Sequence, residues 1–269
     1  PLEWGRLLLQ HWHFAMLADA PRNSAYAAAL ARAAAALEPP QGNGALLAVD
    51  AGCGCGILSL MLAKRLRAPT AGVVLGVEVL RGAAHLARRC IAANGADDRV
   101  EVARCDAMEL CTRSDGAAPL LVAELMDNGG LGEGMLPLAA AAARGGLLAP
   151  SAQIVPKRLR VFCTLVELRG CGDAHDGAEL TPSSLCGVSL APWLAYRTRR
   201  SYAAVDLAAA EYCALSEEWL LLEAELGAPP PDGGTVAVPL HADGTLNAIV
   251  WTWEADLDDS GAADAMLSN

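Results

Sequence analysis

Lysine is almost missing from this chain: two residues out of 269, against 18 arginines. Together with the heavy alanine content, that imbalance reads as a bias of genomic composition and carries no functional message. Long apolar runs are missing too. The chain is 54% hydrophobic with a mean hydropathy of +0.29. Arg or Asp nevertheless interrupts the alanine tracts, and no run reaches the ~20 residues that a membrane helix needs. Positive charge is in deficit, with 20 basic against 31 acidic residues and a net charge of −11. Non-specific binding to nucleic acid or to a membrane surface wants a basic face, so neither partner is expected. A basic protein or a cationic substrate suits the balance better. The nine cysteines include no C-x-x-C pair and no matching His spacing. That argues against a bound metal and for a reduced setting, cytoplasmic or nuclear. A leader pattern and an initiator Met are absent at Pro1, so the sequence is expected to begin inside a longer chain.

What is present is organised around residues 46–59, Leu-Leu-Ala-Val-Asp-Ala-Gly-Cys-Gly-Cys-Gly-Ile-Leu-Ser. The apolar start has the look of a buried parallel strand that ends at Asp50. Gly52, Gly54 and Gly56 then form a tight turn, and Ile57 to Arg67 follows with helical spacing. Such a turn lets a ligand approach the backbone. Cys53 and Cys55, alternating with the glycines, read as small space-fillers. A dinucleotide turn wants G-x-G-x-x-G, whereas this one reads D-x-G-x-G-x-G. That order resembles the nucleotide loop of Rossmann-like methyltransferases that use S-adenosylmethionine (AdoMet).

Around this turn the chain alternates. Trp4 to Leu17 is apolar at helical spacing. A turn follows at residues 19–23, and Ser24 is placed to cap a helix from Ala25 to Leu37. Ala71 to Val79 reads as a second strand. Glu78 at its end, ~20 residues after the glycines, is positioned to accept hydrogen bonds from ribose hydroxyls. Arg81 to Ala93 is helical and stops at Asn94-Gly95. Val100 to Arg104 is a third strand, with Asp106 beyond it near where an adenine would lie. Ala118 to Ala123 is a fourth strand, and Ala139 to Arg144 is helical. This alternation predicts an α/β fold with a doubly wound, Rossmann-like parallel sheet over residues 1–155.

The pattern then changes. Ile154 to Glu167 has period-2 character, residues 170–200 are loop-rich, and Thr235–Leu240 with Leu246–Trp253 reads as a hairpin. A second, antiparallel domain is expected over residues 156–269. Trp193, Trp219, Trp251 and Trp253 are expected in its core. The acidic stretch from Glu254 to Asn269 reads as a loop, with Asp256–Asp259 as a solvated face. His85, His175 and His241 read as surface histidines.

Two carboxylates stand out after the fourth strand. Glu124 and Glu133 lie nine residues apart on a loop with glycines at 129, 130, 132 and 134. Folded back, the loop aims both at one point on the sheet edge where ligands bind. They would repel each other unless a cation neutralised them. A guanidinium, planar and always charged, does this well.

Three stretches carry a resemblance to the protein arginine N-methyltransferase family. Ala-Glu124-Leu-Met-Asp-Asn-Gly-Gly-Leu-Gly-Glu133-Gly-Met-Leu looks like its double-glutamate loop, and Asp127 is most similar to the type 7, monomethylating branch. Asp50-Ala-Gly-Cys-Gly-Cys-Gly resembles its first motif. His13-Phe-Ala-Met-Leu-Ala-Asp-Ala-Pro-Arg-Asn-Ser-Ala-Tyr26 is similar to its entrance segment. The resemblance implies that Arg22 holds the AdoMet carboxylate with His13 nearby and that Asp50, Gly52 and Gly54 line the methionyl part. Glu78 would bind the ribose, and Asp106 or Glu109 would meet the adenine. It further implies that Glu124 and Glu133 grip the substrate arginine and that Met135 packs beside the donor methyl. The expected reaction is methyl transfer from AdoMet to arginine in histones or Arg/Gly-rich proteins, giving monomethylarginine. A β-barrel would complete the fold, and pairing as a homodimer or tandem pseudo-dimer is implied. The family's Thr-His-Trp loop does not occur here, so the sequence is expected to stop short of it. The aromatic helix before His13 also has Trp and Leu in place of the family's Tyr-Phe pattern.

Three rivals remain open. An AdoMet enzyme for a small molecule or nucleic acid leaves Arg22, Glu124 and Glu133 unexplained, and the Asn/Asp-Pro-Pro-Tyr motif of amino-group methylation is absent. A catalytically inactive relative would bind arginine-rich tails through its acidic face. A dehydrogenase is disfavoured by the glycine spacing.

Overall fold

The computed structural model describes residues 11–37, 46–66, 72–111, 117–169, 184–185, 188–189 and 206–269. Helices and strands alternate through the first half: α1 His11–Ala18, α2 Ala20–Ala36, β1 Leu46–Ala51, α3 Ile57–Arg65, β2 Val73–Val77, α4 Arg81–Ala93, β3 Val100–Ala103, α5 Ala107–Leu110, β4 Ala118–Ala123, α6 Met135–Arg144 and β5 Leu148–Val155. Strands then dominate: β6 Arg158–Leu168, β7 Ser184–Leu185, β8 Val188–Ser189, β9 Tyr212–Ala214, β10 Trp219–Glu225, β11 Ala248–Asp256 and β12 Met266–Ser268. None of the described helices is long and apolar enough to cross a membrane.

Contacts group the chain into two compact units. One comprises Pro1–Phe162, Leu220–Val236 and Trp251–Asn269, and the other comprises Cys163–Trp219 and Ala237–Val250. In the first unit, five parallel strands run in the order β3-β2-β1-β4-β5. This is the expected doubly wound sheet, and its order reverses beside β1. Alternate residues of β4 enter opposite apolar clusters: Leu121 and Ala123 join the one containing Met135 and Leu138, and Leu120 and Val122 join the one containing Tyr26, Leu30 and Leu62. Burial on both faces explains why these strands read as continuous apolar runs.

A second sheet, in the order β10-β6-β11-β12, completes the expected architecture of a Rossmann-like domain followed by an antiparallel, barrel-like part. Within the second unit, β9 pairs antiparallel with β6, and Glu167 Oε2 accepts the Thr245 N–H at 2.8 Å.

Several sequence expectations are corrected. The second helix begins at Ala20, not Ala25, and its N-cap is Asp19, not Ser24. The Asp19 carboxylate accepts the Arg22 N–H at 3.0 Å, and Pro21 sits in the first turn, where its missing N–H costs nothing. The first helix is described only from His11. Strand β5 was hidden because Pro150 and Ser151 interrupt its apolar pattern at the exposed edge of the sheet. The hairpin is not formed: residues 235–240 carry no ladder, with Pro239 lacking a donor and Val236 and Leu240 exposed. β11 pairs instead with β12.

The acidic tail is structured rather than a loop. Leu257 is fully buried, Arg32 Nε meets Asp258 at 2.7 Å, and Arg160 Nη2 meets Asp256 at 2.9 Å. Asp256 and Asp258 are therefore paired, not merely solvated. Trp219 and Trp251 are exposed rather than core residues, whereas Trp253 is half-buried. His85 and His241 are exposed as expected. Trp193 and His175 lie outside the described residues.

Candidate active site

The parallel register sets the site. Ala51 stands level with Val77 of β2 and with Ala123 of β4. Gly52, Glu78 and Glu124 therefore leave the sheet side by side, at the edge where open α/β sheets bind ligands. Gly52 has φ +74°, a left-handed conformation that strains any side chain, and a Cβ there would stand 2.6 Å from Leu125 Cδ2 and push that side chain of the loop after β4 aside. The N–H groups of Gly52 and Cys53 both donate to Val77 O at 2.9 Å. Beyond Gly54 lies open space. Glu78, buried, is held from both sides: Oε2 accepts the Gly54 N–H at 3.0 Å and Oε1 accepts the Leu80 N–H at 2.7 Å.

Asp50 is buried. Its Oδ2 accepts the Ser59 N–H at 2.9 Å and the Ser59 hydroxyl at 2.5 Å, while Oδ1 is buried with no partner among the described residues. Burial pushes its carboxyl up to about 6, against the opposing pull of the Ser59 hydrogen bonds. Arg22 is also buried. Its Nη2 stands 2.8 Å from Glu124 Oε2 and its Nη1 donates to Asn23 Oδ1 at 2.9 Å. The guanidinium lies 5.3 Å from the Tyr26 ring centroid. Its Nε is buried without an acceptor among the described residues. Tyr26, whose phenol burial raises well above its usual range, donates to Ala123 O at 3.2 Å and so ties α2 to the end of β4.

The loop from Glu124 to Gly134 is folded on Asp127. Its Oδ1 accepts the N–H groups of Gly129 and Gly132 at 3.1 and 2.9 Å. Its carbonyl accepts Trp253 Nε1–H at 3.1 Å. Asn269 Nδ2 donates to Asn128 O at 2.7 Å, and Asn269 Oδ1 accepts the Trp253 N–H at 2.7 Å. Gly130, at φ +77°, presses on the Trp253 ring, with a Cβ position 3.0 Å from it.

The two loop glutamates are electrostatically unlike. Burial raises the Glu124 carboxyl even though the Arg22 guanidinium pulls it down. Its Oε1 has no partner among the described residues. Glu133 is exposed and makes no hydrogen bond or ion pair among them. Its carboxyl is raised by desolvation and then by repulsion from Glu124 and Asp127, with His13 opposing. Glu124, Asp127, Glu133 and half-buried His13 therefore share one electrostatic neighbourhood.

The remaining candidates sit as follows. Asp106 is exposed and caps α5, accepting the Met108 N–H at 2.9 Å, and Glu109 lies exposed on the same short helix. Met135, the first residue of α6, is 1% exposed and belongs to the core. The sequence pointed to Trp253 only as a core residue and to Asp19 only as part of a turn, and it gave no role to Ser59 or Asn269. Ser59 bonds Asp50 across the turn, nine residues away, a spacing that no short motif announces.

No protein-family model matches the chain. It is 30% identical over 260 residues to protein arginine N-methyltransferase 7 of Oryza sativa subsp. indica, covering 92% of this chain and 35% of that protein. It is 28% identical over 256 residues to protein arginine N-methyltransferase 1.6 of Arabidopsis thaliana, with 91% and 34% covered. It is 32% identical over 250 residues to the arginine N(omega)-methyltransferase of Streptomyces achromogenes subsp. streptozoticus, with 91% and 64% covered. The chain thus spans about a third of the length of these plant relatives. Among solved structures, the Trypanosoma brucei PRMT1 enzyme–prozyme heterotetrameric complex with AdoHcy shares the fold, with a TM-score of 0.61 at 18% identity over 96% of this chain and 76% of that one. Over nine-tenths of its length the chain is thus similar in sequence to members of the protein arginine N-methyltransferase family, and it shares the fold of one of them.

Proposed function

We propose that the chain carries the catalytic machinery for methyl transfer from AdoMet to the guanidinium of arginine in proteins. One observation carries this reading: Glu124 already holds a guanidinium, that of Arg22 at 2.8 Å, while its Oε1 has no partner among the described residues and Glu133, within its electrostatic reach, makes no ion pair among them. A carboxylate that holds one guanidinium, with a second carboxylate in its electrostatic neighbourhood, has the chemistry to grip another.

The residues fit AdoMet. Among the described residues, Arg22 Nε is a buried donor without an acceptor and Asp50 Oδ1 is a buried acceptor without a donor. The aminoacyl end of AdoMet carries a carboxylate for the first and an ammonium for the second. Glu78, its oxygens oriented by backbone N–H groups, would take the ribose hydroxyls with its remaining lone pairs, and Gly52 and Gly54 would flank the methionyl part. Asp106 or Glu109 would meet the adenine. When bound, the cofactor supplies an electrophilic methyl group on a sulfonium.

The chain's own residues do the rest. A guanidinium is a poor nucleophile because its lone pairs are delocalised. Glu124 and Glu133, bound on one side, draw positive charge toward the nitrogens they touch and leave the far nitrogen richer in lone-pair character. Positioning of this kind supplies ~7–11 kcal/mol of a barrier, and fixed charge supplies more. The proton released from the methylated nitrogen passes to a loop carboxylate, best to Glu133, or to water. Met135 would back the pocket from the core.

The finer proposals are monomethylation, from the likeness around Asp127; histones or Arg/Gly-rich proteins as substrates; pairing as a homodimer or tandem pseudo-dimer; and a cytoplasmic or nuclear setting. The division proposed is residues 1–155 for cofactor binding and 156–269 for substrate binding. A second reading, free arginine as the acceptor, is favoured by the Streptomyces relative, named for arginine itself, of which the chain spans 64%.

The test is transfer from labelled AdoMet to a Gly-Arg-rich peptide, an Arg-x-Arg peptide and free L-arginine, with Glu133→Gln as control and product mass as the readout of methyl number. Labelling of peptides lost in the control supports the protein reading. Labelling of the free amino acid alone replaces it with the second. AdoMet binding with no labelling of any arginine refutes both.

A further inference from the structure

A different part of the first unit carries chemistry that methyl transfer does not use. Arg81, His85 and Arg88 recur at helical spacing (i, i+4, i+7) on α4, and Arg104 follows β3, the edge strand of the parallel sheet. Together they line one cavity of about 400 Å³. Arg88 is anchored there, its Nη2 donating to Val102 O at 2.7 Å. None of the three arginines forms an ion pair among the described residues.

Such a cluster runs against the composition, since the chain has 31 acidic residues for 20 basic ones. It also runs against the helix. Arg81 is the first residue of α4, whose first turn has no acid, and a cation there meets the positive end of the helix dipole. Three guanidinium groups around one hollow repel one another, and an anion in the hollow relieves that repulsion and the dipole conflict together, with the His85 imidazole beside it as a hydrogen-bonding group. Arginine's planar fork suits the tetrahedral oxygens of a phosphate.

The hollow also limits what fits. Its volume is that of a small-ligand pocket. The neighbouring cavity, which shares Arg88, is lined by Asp97 and Glu101, and these carboxylates end the basic stretch on that side. A long polyanion would have to run over them. We propose that the cleft between α4 and β3 is a binding site for a compact small molecule bearing two or three linked phosphate groups.

Calorimetric titration of the full chain with tripolyphosphate at low salt tests this. Arg81→Gln and Arg104→Gln are the primary variants, because neither side chain makes a hydrogen bond among the described residues. The expected result is saturable one-to-one binding that weakens about tenfold for each arginine removed and falls steeply with added NaCl. The variants keep the parent Tm without ligand. Arg88→Gln, read the same way, adds a third point on the cleft. The proposal is overturned if no saturable binding occurs or if the double variant binds as the parent does. It is equally overturned if a single-stranded RNA oligonucleotide binds the cleft more tightly than tripolyphosphate does.

Discussion

Glu124 holds Arg22 at 2.8 Å, yet its carboxyl lies above the ordinary value of 4.5 rather than below it, because burial outweighs the guanidinium. Glu133 is raised too, chiefly by desolvation and by its acidic neighbours. Both must be ionised to grip a cation. Transfer is therefore expected to rise with pH through an inflection above 4.5, measured as kcat/KM on an arginine peptide. Glu133→Gln relieves repulsion while removing half of the grip. It should leave Tm at pH 7.5 no lower than the parent's and cut transfer ~100-fold or more. Asp50 gives the opposite lever, on stability. Its folded value of about 6 exceeds the ordinary carboxyl value of 3.8, so between the two the folded state keeps a proton that the unfolded state has lost. Stability contributed by that proton is lost as pH climbs through this window. Asp50→Asn should match the parent near pH 4 in thermal melts and be more stable above pH 6, by on the order of 2–3 kcal/mol. Acids that punctuate strand ends, Asp50, Glu78 and Glu124, were legible because a strand's apolar run stops at them. Ser59 and Asp19 were not, since their bonds depend on how the chain turns.

At the scale of elements, the loop between β4 and α6 is held by contacts from Trp253 on β11 and from Asn269, just past β12. Trp253→Phe keeps the ring on Gly130 but removes the indole N–H from the Asp127 carbonyl, a loss of ~1 kcal/mol in stability. Transfer should fall by more than that stability change explains, because Asp127 organises the turn between the two glutamates. Gly130→Ala meets both a left-handed φ and the Trp253 ring. It should destabilise by ~1–3 kcal/mol in denaturant unfolding, with larger losses in transfer. The inner strands β1 and β4 were readable as apolar runs because they are buried on both faces, whereas the edge strand β5 was not. The later strands were not. Trp219 and Trp251 look like core residues by type but stand exposed, and the polar tail after Glu254 is ordered by partners on α2 and β6 that only the fold brings near.

Across the whole molecule, a net charge of −11 favours the approach of cationic substrates. KM for an Arg-rich peptide should rise with NaCl while kcat holds, since screening weakens approach more than chemistry. The sequence changes character near Pro156, but the compact units do not follow one cut. β10 and the end of β11 return to the first unit after the chain has left it.

That return has a kinetic meaning. The bonds that fasten the double-glutamate loop join residues 126 and 141 positions apart. Closing a segment of such length carries an entropic cost of about 4 kcal/mol, and contacts of this range form late. On the ribosome, β1 to β5 emerge long before Trp253 does. A nascent chain therefore completes its glycine turn first and fixes the loop that carries Glu124 and Glu133 only after Trp253 and Asn269 have been made.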